Sequence, residues 1–289
     1  MVFSRVTSWL VSPRLVSLPF TDHLDPLLDS GEDLRSLIHM LQSGRAAGKW
    51  KSIELRPPGH PHALSQWDGF FDGQAYMLHR LDLRPTLEEL FRGLHKDSIQ
   101  RKVRRAEREG LICQEGRSQA LLQEFYRLML LTRRRQALPP PPFVWYHNII
   151  ECLGERATIR LVQKGDRAIA AILALHYKRT VVYKYGCSDA QFHSLGGMPY
   201  ALWKTIEDAK ERGATELDFG RSDPANTGLV TFKERFGAVR SGLIYKKFPN
   251  PGKQRLDTSW QLRTAKRIFA AMPAGLQVLA GKIIYPHLG

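Results

Sequence analysis

The chain has 289 residues, 43% of them apolar, enough to bury one large core or two small ones, which excludes an intrinsically disordered protein. Lys and Arg total 43 against 28 Asp and Glu, and the formal charge of +15 calls for an anionic partner, whether RNA, a nucleotide cofactor or an acidic lipid surface. Nothing points to DNA. Cys113, Cys152 and Cys187 are odd in number, scattered and free of any CxxC pairing, as expected in a reducing cytoplasm, and no stretch approaches the ~18 apolar residues of a spanning helix. The chain is expected to be cytoplasmic and soluble, or at most peripheral at the inner face of a membrane.

The opening MVFSRVTSWLVSPRLVSLPF is broken by serines and Pro13, has no small-residue cleavage site, and reads as folded protein rather than a signal peptide. Next, Leu34, Leu37, Ile38 and Leu41 recur at helical spacing and Gly44 offers a stop. WKSIELR and QAYMLHRLDL read as strands on either side of the turn-rich RPPGHPHALSQWDG. The segment from Pro85 to Gly110 reads as helical: Thr86 and Glu89 form a capping box, and Ile99, Val103 and Ala106 make an apolar stripe that leaves Arg101, Lys102, Arg104, Arg105 and Arg108 on the wet side. SQALLQEFYRLMLLTRRR is a further helix, stopped by the prolines at 139–142, and FVWYHNIIECLG a shorter one.

From Ala157 the pattern changes. ATIRLVQ, AIAAILALHY and VVYKYG, separated by KGDR and KRT, read as a three-strand antiparallel meander. The loop CSDAQFHSLGGM leads to a helix with Pro199 in its first turn, Leu202, Trp203, Ile206 and Ala209 on one face, and Gly213 at its end. The strand ELDFG, the helix LVTFKERFG and the strand SGLIYKKF follow. The terminal QLRTAKRIFAAMPAGLQVLAGKIIYPHLG is basic and amphipathic, either a helix packed on the body or a membrane-surface helix.

The motif series RKVRRAEREG, TRRRQALPPPPF, YKYGCSDAQFHSLGGMPYALWKTIEDAKERGATELDFGRS and GLVTFKERFG resembles FemAB-type transferases and relatives with a BioF2-like acetyltransferase domain. The likeness runs from about Leu15 to the C-terminus and is strongest from Arg101 to Gly237. It implies an α/β (α+β) GNAT-like acyltransferase fold in two GNAT-like halves: an incomplete N-terminal half at 1–95, the better-kept half at 96–255, and a basic tail at 256–289. It also implies an acyl-CoA donor, or aminoacyl-tRNA as in FemAB proteins proper, and an amine or hydroxyl acceptor on a cell-envelope, exopolysaccharide or peptidoglycan precursor. No long coiled-coil arm is visible, which favours acyl-CoA over tRNA. A third reading, a basic RNA- or membrane-surface protein without activity, takes support from the short first half.

Acyl transfer needs a deprotonated nucleophile, an aligned carbonyl and donors for the oxyanion. No GxSxG elbow is present, so direct attack is expected rather than an acyl-enzyme. Asp218, late in its strand beside Gly220, is either the acceptor's ligand or base, or a carboxylate pinning the corner through Arg221. Arg221 and Lys233 are candidates to clamp a phosphate or carboxylate, with a solvated helix position as the other reading of Lys233. Gly196 and Gly197 precede a helix N-terminus suited to the CoA pyrophosphate, or are plain loop glycines. Tyr183 and Tyr185 share a strand face by alternation; Tyr185 is a candidate proton donor to the leaving group, and either ring equally fits aromatic packing. Arg101, Arg104 and Arg105 form, with Arg108, a helix face able to meet several phosphates of the donor, diluted by Glu107 and Glu109. His60 and His62 lack a third ligand, so no metal is expected, and Cys187 reads as a buried, inert thiol. The enzymatic reading requires the meander's exit loop and the Asp218 corner to face one crevice.

Overall fold

The computed structural model describes residues 2–8, 12–58, 67–249, 269 and 272–287. Its sheet begins at one edge with β1 (Ser4–Val6) and β2 (Arg14–Val16), an antiparallel pair, and β2 runs parallel to β3 (Ser52–Leu55). Between them α1 (Gly31–Ala46) is started by a capping box of Ser30 and Asp33 and buries Leu34, Ile38 and Leu41 against Leu15, Ile53 and Leu55. Gly44 does not stop this helix. It lies inside it because the Trp50 ring takes the space a Cβ would need, 2.4 Å away.

β4 (Phe71–Asp82) leads to the expected capping box at Thr86 and Glu89, which opens α2 (Leu87–Gly93). The single helical segment expected from there to Gly110 is divided. Leu94 turns extended (ψ 143°) to bury its side chain, His95 donates its N–H to the Arg235 carbonyl, and a widened turn over Lys96–Gln100 leads into α3 (Arg101–Arg108). Tertiary anchoring here overrides a helical pattern. β5 (Ile112–Gly116) was not foreseen, since an edge strand of five residues with an exposed Ile112 carries little alternation. α4 (Gln119–Gln136) ends in a left-handed Ala137 ahead of the prolines, and α5 (Phe143–Leu153) follows them.

β6 (Ala157–Lys164), β7 (Arg167–Tyr177) and β8 (Thr180–Ser188) form the antiparallel meander. α6 (Gly197–Glu211) then crosses over to β9 (Glu216–Ser222), which lies parallel to β8. α7 (Thr227–Glu234) and β10 (Val239–Phe248) complete the sheet. The strand order is β1-β2-β3-β10-β4-β9-β8-β7-β6-β5, so β10 is hydrogen-bonded between two strands from the first part of the chain. Residues of β7 alternate between two cores. Ile172 and Ala174 meet α3 and α6 on one face, while Ala171 and Leu173 meet α4 and α5 on the other. α8 (Ala274–Ile284) lies against the α4 side, where the Pro140 carbonyl stands 2.2 Å from where a Cβ of Gly281 would be.

Candidate functional site

Two adjacent parallel strands separate at the centre of the sheet. β8 and β9 pair over Thr180–Glu216, Val181–Leu217 and Val182–Asp218, and beyond that point β8 runs on to Ser188 and β9 to Ser222 without pairing. Each strand carries a bulge beside the gap. On β8 the register against β7 jumps from Leu173–Tyr185 to Ala174–Tyr183, leaving Lys184 as the extra residue. On β9 the register against β4 jumps from Leu78–Arg221 to Arg80–Asp218, with Gly220 at φ +68°. Bulges re-aim side chains and end pairing, and they do both here.

The bulge at Lys184 corrects one expectation: Tyr183 and Tyr185 do not share a face. Tyr183 packs with the α6-side core near Phe219, ring centroids 6.0 Å apart, while Tyr185 packs on the α4/α5 side against Tyr146. The Tyr185 hydroxyl accepts from the Trp145 indole N–H at 2.9 Å.

Asp218 sits between Leu217 and Phe219, which both enter the α6-side core, and so projects from the opposite face. The residue is 3% exposed and its carboxylate is occupied at both ends: Oδ1 accepts the Gly220 N–H at 2.6 Å, and Oδ2 stands 2.6 Å from His23 Nε2. Burial, the largest influence, works against ionisation, but the hydrogen bonds from His23 and the Gly220 N–H and the nearby positive charge, Arg80 included, more than offset it, holding the carboxyl below its ordinary value. The segment Phe20–His23 is thus laid across the corner. Lys184 donates to the Phe20 carbonyl, and Asp22 Oδ2 accepts the Arg221 N–H at 3.1 Å. A side chain at Gly220 would strike that Asp22 oxygen, 2.1 Å away, so glycine is required here by both conformation and contact.

Arg221 is one-third exposed and lies over the rings of Tyr76 (4.3 Å) and Tyr245 (5.2 Å), with its guanidinium near Asp22 and the Tyr245 hydroxyl. Lys233 is neither solvated nor open to a ligand. It is 2% exposed, and its ammonium donates to the carbonyls of Gly220 (2.9 Å) and Arg221 (3.0 Å), pinning α7 to the bulge. Burial pulls its pKa down to about 8, against the opposing charges of Asp22 and Asp218.

The other face is open. Gly196 (φ +80°) turns the chain into α6, and the Lys102 carbonyl is 2.5 Å from where its Cβ would be, so α3 and the α6 head are in direct contact. Gly197 lies against Ile169 and Ala170 of β7. Beside them is a cavity of about 330 Å³ with an apolar floor that includes Ile99, Ile169 and Phe232, and with Lys102, His193 and Arg235 at its walls. Next to it Arg101, Lys102, Arg104, Arg105, Arg108 and Ser194 line a shallow groove of about 850 Å³. Within that groove Arg101 pairs with Asp97 at 3.4 Å and Arg105 with Glu109 at 3.6 Å. The cavity at the exit loop is not lined by Asp218, Arg221 or Lys233. The single crevice expected from the sequence is therefore replaced by two sites on opposite faces, both adjoining the gap between β8 and β9.

Cys187 is buried, and burial pushes its thiol up, leaving it inert. His60 and His62 lie outside the described residues, as does half of the basic tail. α8 buries Gln277 and leaves Leu276, Leu279 and Ile283 about half exposed; no helix among the described residues is long and apolar enough to cross a membrane. The residue that the sequence did not reveal is His23. TDHLDP carries no motif, and it reaches Asp218 across 195 positions of chain.

The Acetyltransferase (GNAT) domain family matches residues 94–234. Among solved structures the fold is similar to that of FemX (TM-score 0.64, 17% identity, 84% of this chain and 87% of that one). It is similar also to L-PGS from Bacillus licheniformis (TM-score 0.60, 14% identity, 93% and 85%). A tandem GNAT protein from the clavulanic acid biosynthesis pathway matches with TM-score 0.53 at 10% identity, over 83% and 77%. No curated protein matches the chain in sequence.

Proposed function

We propose, from the premise that residues 94–234 are a GNAT acetyltransferase domain within a FemX-like GNAT fold, that the chain transfers an acyl group from acyl-CoA to an amine or hydroxyl of a cell-envelope precursor. The observation that carries this reading is the separation of β8 from β9 beside the head of α6. The shared crevice that the sequence reading required is absent among the described residues, and the enzymatic reading rests on this gap instead. An opening between parallel strands gives a slender thioester arm a passage from one face of the sheet to the other, so that donor and acceptor can meet. The α6 N-terminus at Gly197 and Met198 suits the pyrophosphate, since first-turn backbone N–H groups and the helix dipole favour anions. Lys102 and Arg235 add positive charge at the cavity wall, and its apolar floor suits the pantetheine chain. The acceptor approaches from the Asp218 face, where Arg221, stacked on tyrosines and one-third exposed, offers a fork for a carboxylate or phosphate of the precursor. An acceptor bound at a membrane also fits the exposed Leu276, Leu279 and Ile283 of α8, flanked by Lys282.

One observation favours aminoacyl-tRNA as the donor instead. The arginine groove is larger than the cavity and presents five cationic residues, more than a single nucleotide requires.

Thermal unfolding with each donor separates the two. A ligand that binds only the folded state stabilises it by ~2.7 kcal/mol at a hundredfold excess over Kd. Acetyl-CoA is expected to raise Tm and uncharged tRNA to leave it unchanged; a rise with tRNA alone, lost steeply with salt, replaces the first reading by the second.

A further inference from the structure

Asp218 has the position expected of a base, but its surroundings make it a poor one. Both carboxylate oxygens are engaged, the group is held in its ionised form, and it is almost wholly buried. An ionised carboxylate 2.6 Å from an imidazole nitrogen accepts a hydrogen bond, so Nε2 carries the proton. The tautomer is thereby fixed, and Nδ1 is left with a free lone pair. No described residue occupies Nδ1, and the His23 side chain is 22% exposed, against 4% for Asp218. A buried carboxylate that orients a partly accessible imidazole is the arrangement of a base and its positioning residue.

We propose that His23 Nδ1 is the proton acceptor for acyl transfer and that Asp218 is its positioning residue. This deepens the acyltransferase reading and rests on it. In the step, the acceptor's nitrogen or oxygen forms a bond to the acyl carbon as the carbon–sulfur bond of the thioester breaks. The acceptor's proton passes to His23 Nδ1 and from there to the departing CoA thiolate, so the imidazole ends neutral. The strap that carries His23 is held by several groups: Asp22 on the Arg221 N–H, Lys184 on the Phe20 carbonyl, and the Tyr245 hydroxyl, which donates to the Asp22 carbonyl at 2.8 Å. Further cations bear on this corner: Arg80 through Asp218, Lys233 through both Asp218 and Asp22, the Arg221 guanidinium 3.6 Å from Asp22, and Arg56, which donates to the Thr21 carbonyl at 2.7 Å.

The test uses the full chain and S-bromoacetyl-CoA, whose electrophilic carbon occupies the acyl position. Alkylation of His23, blocked by excess CoA and mapped by mass spectrometry, is expected in the unaltered protein. Asp218→Asn should slow that alkylation by about tenfold without changing CoA affinity. His23→Gln keeps an N–H for Asp218, so the strap stays docked. It should lower acetyl-CoA turnover with a panel of primary amines about 100-fold at unchanged KM, the range general-base catalysis supplies. CoA-protected alkylation at another residue, or turnover by His23→Gln within threefold of normal, overturns the assignment while leaving the acyl-CoA reading intact. If CoA protects no site and does not bind, the acyl-CoA reading fails, and the role of His23 falls with it.

Discussion

The two faces of the sheet at the β8–β9 gap are built on opposite principles. At the α6 head, two glycines pack closely on α3 and β7, and a cavity stands open beside them among cationic residues. At the Asp218 corner side chains cross-link the elements: buried Lys233 with two carbonyls, buried Asp218 with an amide and an imidazole, and one-third-exposed Asp22 with the Arg221 backbone. An open face built from backbone suits a ligand recognised by its phosphates, whatever it carries. A closed, cross-linked face suits chemistry, because groups that must act on a proton have to be held within a fraction of an ångström. On the reading proposed above, the contrast separates donor binding on one side from proton handling on the other.

Substitutions can break that division. Asp218→Asn should cost the most of these, approaching the roughly 100-fold loss expected without His23 itself and leaving donor affinity unchanged, since the amide cannot fix the imidazole tautomer. Equal losses of turnover and donor affinity would merge the two faces into one site. Gly196→Ala must place a methyl in a left-handed conformation and against the Lys102 carbonyl. It should weaken acetyl-CoA binding about tenfold by calorimetry while sparing the His23–Asp218 pair; full affinity would remove the α6 head from donor binding. Replacing Arg101 and Arg105 together with alanine should weaken the donor only about threefold at low salt and not at all at high salt, as befits half-satisfied surface cations. A loss that persists in salt would mark the groove as part of the donor's close contacts.

The smallest effect is a matter of sign. Burial holds Lys233 at about 8, below its ordinary 10.5. Between those values the unfolded chain binds the proton and the folded chain has released it, so this residue makes stability rise with pH across that window. Lys233→Met should abolish that rise in denaturant titrations from pH 8 to 10; an unchanged slope would mean that Lys233 stays charged in the fold.

Much of the scaffold was legible in the sequence because it rests on local rules. The meander, α6 with Pro199 in its first turn, and the Thr86–Glu89 box each depend on residues a few positions apart. The failures share a cause. Alternation placed Tyr183 and Tyr185 on one face, and a one-residue bulge at Lys184 separated them. Gly44 looked like a helix stop and proved to be a seat for Trp50. Lys233 read as an anion clamp or as a solvated helix position, but its partners are carbonyls of a different element. The same applies to the candidate site. Asp218, Gly196 and Gly197 stand out from their neighbours in sequence, whereas His23 acquires meaning only when β2, β4 and β9 have been brought into one sheet.

The place of β10 has a consequence for how the molecule is made. Its strand lies between β3 and β4, whose residues emerge from the ribosome long before it does, so the sheet must wait with a vacant slot until Phe248 has been synthesised. A chain cut before Val239 would leave two unpaired strand edges facing each other, an invitation to aggregate, and expressing the first 95 residues as a separate piece would leave them without the ribbon that joins their own strands.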